Sequence, residues 1–107
     1  MIILLSPAKI QNFKPQNTTQ EYSEPHFMAD AEKLVQLMRA LSPSEISRLL
    51  DINSKLTELN FERYFNWHTP FTCENAKQAA LAFDGEVFRG LQATDFSSDD
   101  FAFAQQH

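Results

Sequence analysis

The sequence predicts an α+β (or α/β) fold, mostly helical, with two short buried strands and part of a larger single-domain architecture. Three observations carry that expectation. An unbroken apolar run, MIILL at residues 1–5, stops at Ser6-Pro7. A second short run, Ala80, Leu81, Ala82 and Phe83, stops at Asp84-Gly85. Between them lie segments whose apolar residues recur every three or four positions behind helix-capping residues. Two strands separated by helices suit a mixed domain, although two alone are too few for an independent sheet.

Residues 1–5 read as a strand buried on both faces. Pro7 has no amide to give to a ladder and biases Ser6 towards extended geometry, so the strand ends there. The Ser6 hydroxyl and the Lys9 ammonium then project from a strand end, where open α/β sheets place their ligands. Residues 11–24 are polar and aperiodic, and a loop of this length suggests a flap over that strand end.

Ser23 can cap a helix starting near Pro25, with Phe27, Ala31, Leu34, Met38 and Leu41 on its buried face and Asp30, Glu32, Lys33, Gln36 and Arg39 in solvent. Ser42-Pro43-Ser44-Glu45 is a capping box with Pro at the first helical position, opening a short helix that buries Ile46, Leu49 and Leu50. Ser54 can cap a third helix carrying Leu56, Leu59 and Tyr64. Two short helices so joined form an αα-hairpin, a shape that can present amides to DNA phosphate, with Arg48, Lys55 and Arg63 as its cations. The linker Asp51-Ile52-Asn53-Ser54 holds no glycine for close backbone approach, so a purely structural hairpin is the stronger reading.

Phe61, Tyr64, Phe65, Trp67 and Phe71 read as core packing around His68, without the interleaved cations that base stacking would call for. Thr72 can cap a short helix before the second strand, and Asp84-Gly85 turns the chain into Glu86-Val87-Phe88-Arg89-Gly90-Leu91, with a ring and a cation beside a glycine. Ser97 caps a last helix, with Asp99 and Asp100 in its first turn and Phe96 and Phe101 spaced as a staple. Nothing caps its C-terminal end, which leads us to expect truncation within that helix.

The 107 residues make one domain at most, and a hydrophobic fraction of 43% excludes a disordered chain. Cys73 stands alone, which rules out an internal disulfide and suits a reducing cytoplasm. The apolar run at residues 1–5 is too short to span a bilayer. A net charge of −5 argues against the whole chain as a nucleic-acid binder, yet residues 1–15 carry Lys9 and Lys14 with no acid. His26, His68 and Cys73 share no metal-ligand spacing. Catalytic residues, a metal and a cofactor are therefore not expected.

MIILLSPAK, FTCENAKQAALAFDGEVFRGL and FSSDDFAFAQQH, taken in order, resemble the start of the bacterial YaaA family of peroxide stress response proteins. The resemblance covers residues 1–107 and is most specific at SPAK and at LAFDGEVFRGL. It implies a cytoplasmic protein more than twice this length, which binds DNA and limits iron-dependent oxidative damage. Ser6, Pro7 and Lys9 match the first motif, and Gly85, Val87, Gly90 and Leu91 the second. Phe88 stands where many members have Tyr, and Asp84 occupies a position often basic, which weakens any local phosphate site.

The candidate DNA- or anion-binding residues are thus Ser6, Lys9, Arg48, Lys55, Arg63, Gly85, Arg89 and Gly90. Two other readings compete. One is an enzyme fragment binding phosphate or a nucleotide through the SPAK loop. The other is a structural segment inactive by itself, whose exposed apolar surface would drive oligomerisation.

Overall fold

The computed structural model describes all residues from Met1 to His107. It contains α1 (Met28–Arg39), α2 (Pro43–Leu50), α3 (Ser54–Asn66), α4 (Ala79–Ala82), α5 (Glu86–Leu91), a 3₁₀ turn (Ala93–Asp95) and α6 (Ser98–Gln106). The chain divides into two compact units, Ser23–Phe71 and Met1–Tyr22 with Thr72–His107.

In Ser23–Phe71, α3 packs against both α1 and α2. The capping box forms as expected. Ser42 Oγ accepts from the Glu45 amide at 3.4 Å, and the Glu45 carboxylate accepts from the Ser42 amide at 2.7 Å. These bonds, followed by the charge of Arg48, hold the Glu45 carboxyl below its ordinary value of 4.5. Asp51 ends α2 in the left-handed region, φ 51°, where Asp is one of the few tolerated side chains. Asn53, and not Ser54, caps α3: its Oδ1 accepts from the Leu56 amide at 2.9 Å.

The buried faces differ in detail from the expected ones. Helix α1 begins at Met28 without a side-chain cap, and Val35 is buried with Ala31 and Met38 half-buried, while Phe27 and Leu34 face solvent. In α2 only Ile46 is fully buried, and Leu49 is exposed. Arg39, expected in solvent, instead reaches the end of α3. Its Nε donates to the Tyr64 carbonyl at 2.7 Å and its Nη2 to those of Phe65 and Trp67. A helix end leaves such carbonyls without partners, and one guanidinium satisfies three.

In the other unit the two expected strands are absent, and the fold is helical with no sheet. Residues 80–83 fall in and just after α4, because Ala82 and Phe83 donate to the carbonyls of Gln78 and Ala79 at 2.9 and 3.0 Å. Alanine is the best helix former, and that local preference outweighs the apolar run's resemblance to a strand. The only extended pairing is one antiparallel bridge, Gln11 to Phe83. Residues 1–5 have no regular secondary structure and are exposed, with Met1, Ile2 and Leu4 more than four-fifths accessible. A buried strand needs neighbours on both sides, and here the Ile3 amide meets only the His107 carbonyl.

The core of this unit is small: Leu81, Ala82 and Ala93 are buried where α4 packs on the 3₁₀ turn. Ser97 caps α6 as expected, with its Oγ accepting from the Asp100 amide at 3.2 Å, and the Phe96 and Phe101 rings meet edge-on at 5.3 Å. No helix is long and apolar enough to cross a membrane.

Candidate functional site

The two motifs singled out in the sequence meet in the unit formed by Met1–Tyr22 and Thr72–His107. The bridge at Gln11–Phe83 sets their register: the Asn12 amide donates to the Ala82 carbonyl at 2.6 Å and the Asp84 amide to that of Ile10 at 3.0 Å. One residue further on, the chains come so close that a Cβ on Gly85 would lie 2.9 Å from the Ala8 Cβ. Gly85 is extended, φ −120°, so steric room and not turn geometry makes glycine suitable there. The chain bends at Gly85, as expected of Asp84-Gly85, and α5 starts from it.

A cavity of about 330 Å³ opens at this junction, with Ser6, Lys9, Asp84, Gly85, Glu86 and Phe88 in its wall. Lys9 is the one cation lining it. Two carboxylates, Asp84 and Glu86, also line it. Asp84 Oδ1 accepts from Arg89 Nε at 2.7 Å, so its charge is balanced within the protein. Glu86, its side chain 97% exposed, lies 3.9 Å from Nη1 of the same Arg89, a solvent-screened pair. Asp84 therefore weakens an anion site less than its charge alone suggests. Its hydrogen bond and charge raise the Arg89 pKa.

Phe88, the ring at the position of the expected Tyr, packs on Phe83 with centroids 5.0 Å apart. Its contribution is to shape the wall.

Of the eight predicted residues, Ser6, Lys9 and Gly85 share this cavity, and Arg89 borders it through Asp84. Gly90 lies in α5 with open space at its α-carbon and takes no part in the close approach. Arg48, Lys55 and Arg63 belong to the other unit. Arg48 and Lys55 are exposed at the α2–α3 hairpin, while Arg63 is half-buried and desolvation lowers its pKa. Glu45, Asp51, Glu58 and Glu62 accompany these three cations, so the hairpin has no positive excess.

Lys77 was not expected in any special role. Its ammonium donates to the carbonyls of Asn12 at 2.8 Å and Lys14 at 3.0 Å, and Gln78 Nε2 donates to that of Glu21 at 2.9 Å. The loop expected as a flap is thus fastened. No sequence pattern marks a lysine as a partner for carbonyls some 60 residues away. The close approach at Gly85 left a clearer trace, in the pairing of one motif's alanine with the other's glycine.

Known proteins bear on the same residues. The family described as peroxide stress protein YaaA matches residues 1–107. A UPF0246 protein of Cellvibrio japonicus is 46% identical over 106 residues, covering 99% of this chain and 41% of its own length. One from Burkholderia lata is 49% identical over 107 residues, again 41% of its length, and one from Aromatoleum aromaticum is 45% identical. The chain spans about two fifths of these curated relatives.

Proposed function

Because this chain belongs to the family of peroxide stress protein YaaA, we propose that it contributes a phosphate contact to a cytoplasmic protein that binds DNA and limits iron-dependent oxidative damage. It supplies the amino-terminal part of that protein's domain. One observation carries the reading: the family's two most specific motifs converge on a single cavity, held together by the Ala8–Gly85 approach. Lys9 supplies the positive charge and Ser6 a hydroxyl donor. Arg89 balances the charge of Asp84 in that wall.

With one lysine on the wall and a net charge of −5, affinity for a long duplex should be weak. The same features suit a smaller phosphate-bearing ligand such as a nucleotide, which is the second reading.

Fluorescence anisotropy of the 107-residue chain with plain and bulged duplexes at two salt concentrations tests the reading. Binding should weaken as salt rises, and Lys9→Ala should flatten the salt slope by about 0.9, the share of one neutralised phosphate. Binding that Lys9→Ala leaves unchanged but Lys55→Ala abolishes would transfer the contact to the helical hairpin. No salt-dependent binding to DNA, with saturable binding of a nucleotide, would favour the second reading.

A further inference from the structure

A second cavity in the same unit, about 470 Å³, is formed by residues 13–16 and 20 on one side and 73–78 on the other, and shares no residue with the Ser6–Lys9 cavity. Its walls are assembled before any ligand arrives. Lys77 fastens the carbonyls of Asn12 and Lys14, and the Gln78 side chain bonds both the Glu21 carbonyl, at 2.9 Å, and Gln16 Nε2, at 3.2 Å. Gln16 Oε1 in turn accepts from the Thr18 amide at 2.7 Å. Such prior ordering reduces what binding would otherwise cost in loop entropy.

The charges in this wall are Lys14, Lys77 and Glu74, a positive excess in a chain that is negative overall. An ammonium carries three donors, and two of those on Lys77 lie on carbonyls, which leaves one for a ligand. Desolvation lowers the Lys77 pKa, so an anion placed beside it would restore stabilisation that burial removes. Phe13 and Pro15 add apolar surface, and the volume falls within the range of small-molecule sites.

We propose that this cavity binds a small organic anion, a carboxylate or a phosphate ester, with its oxygens at Lys14 and Lys77 and its apolar body against Phe13. This inference is independent of the DNA reading, since it uses other residues and another ligand size.

Titrating the isotope-labelled 107-residue chain with succinate, and separately with inorganic phosphate, tests it by amide chemical shifts. At least one anion should shift Ala76, Lys77 and Gln78 saturably; succinate alone would assign a carboxylate ligand and phosphate alone a phosphate ester. Lys14→Ala should weaken binding about fivefold, and Glu74→Gln should tighten it by a similar factor. Lys14 is the variant of choice because its side chain takes no part in fastening the loop. Absent shifts, shifts confined to Ala8, Lys9 and Gly85, or affinities indifferent to both substitutions would overturn the proposal.

Discussion

Ile46 in the Ser23–Phe71 unit has no solvent exposure, whereas Ile2 in the other unit is 83% exposed, although the sequence predicts burial for both. The difference lies in how each unit is held. Ser23–Phe71 is built from three helices of eight or more residues, with side-chain caps on α2 and α3 and the end of α3 closed by Arg39. The unit containing Met1 and His107 has two helices of six residues or fewer, a capped nine-residue α6 that buries no residue, one bridge, and side chains such as Lys77 and Gln78 tying loops to distant carbonyls. Helix-to-helix burial stabilises the first, and specific polar ties order the second. Candidate ligand cavities belong to the second kind of structure, where packing leaves space and polar groups remain near solvent.

The sharpest way to break this contrast is a pair of equivalent truncations. Ile46→Ala should destabilise by about 2–5 kcal/mol in chemical denaturation, because the cavity it leaves is fully enclosed. Ile2→Ala should change stability by no more than about 0.5 kcal/mol. Comparable losses would mean that residues 1–5 are packed in solution.

Gly85→Val comes next. Its side chain would start within 2.9 Å of the Ala8 Cβ, so the backbone must move apart at a cost of about 1–3 kcal/mol. Denaturation and loss of the Asn12–Ala82 hydrogen bond, read by amide exchange, measure it. An unaffected exchange rate at Asn12 would show that the two motifs are not held as described.

A smaller effect compares the two capping boxes, one in each unit. Ser42→Ala and Ser97→Ala should each cost about 1 kcal/mol. Both boxes also predict a pH dependence. The Glu45 and Asp100 carboxyls are held below their ordinary values of 4.5 and 3.8 by bonds to Ser42 and Ser97. A depressed folded-state pKa contributes stability that is fully present above the unfolded value and is lost as pH falls through the folded one. Melting from pH 6 downwards should therefore show losses that begin near 4.5 for Glu45 and lower for Asp100, and each serine variant should lose its share of that dependence.

The smallest effect is expected at the end of α5, where Gln92 sits at φ 53°. Gln92→Gly should stabilise by up to about 1 kcal/mol, since glycine adopts this conformation without a Cβ clash. A destabilised variant would indicate that the Gln92 side chain contributes more than its backbone strain costs.

What the sequence reveals follows the same division. Ser42 with Glu45, and Ser97 with Asp100, place helix starts correctly because a capping box is a local bargain among four residues. Leu34 and Val35 show where local reading stops: both fit the α1 period, and only the packing of α1 on α3 selects Val35. Residues 80–83 show the limit more severely, since an apolar run without neighbours in a sheet follows its helical propensity. The convergence of Ser6, Lys9 and Gly85 was legible through the two motifs. The Asp84–Arg89 pair and the ties of Lys77 were not, because each depends on a backbone path that no spacing encodes.

The proposed function requires the two motifs to form one anion-binding cavity with Lys9 as its cation. Amide chemical-shift mapping of the 107-residue chain against a short DNA duplex at low salt tests this most directly. Saturable shifts are expected at Ala8, Lys9 and Gly85, disappearing in Lys9→Ala, while Arg48 and Lys55 stay unmoved. Shifts centred on Arg48 and Lys55 and preserved in Lys9→Ala would contradict it.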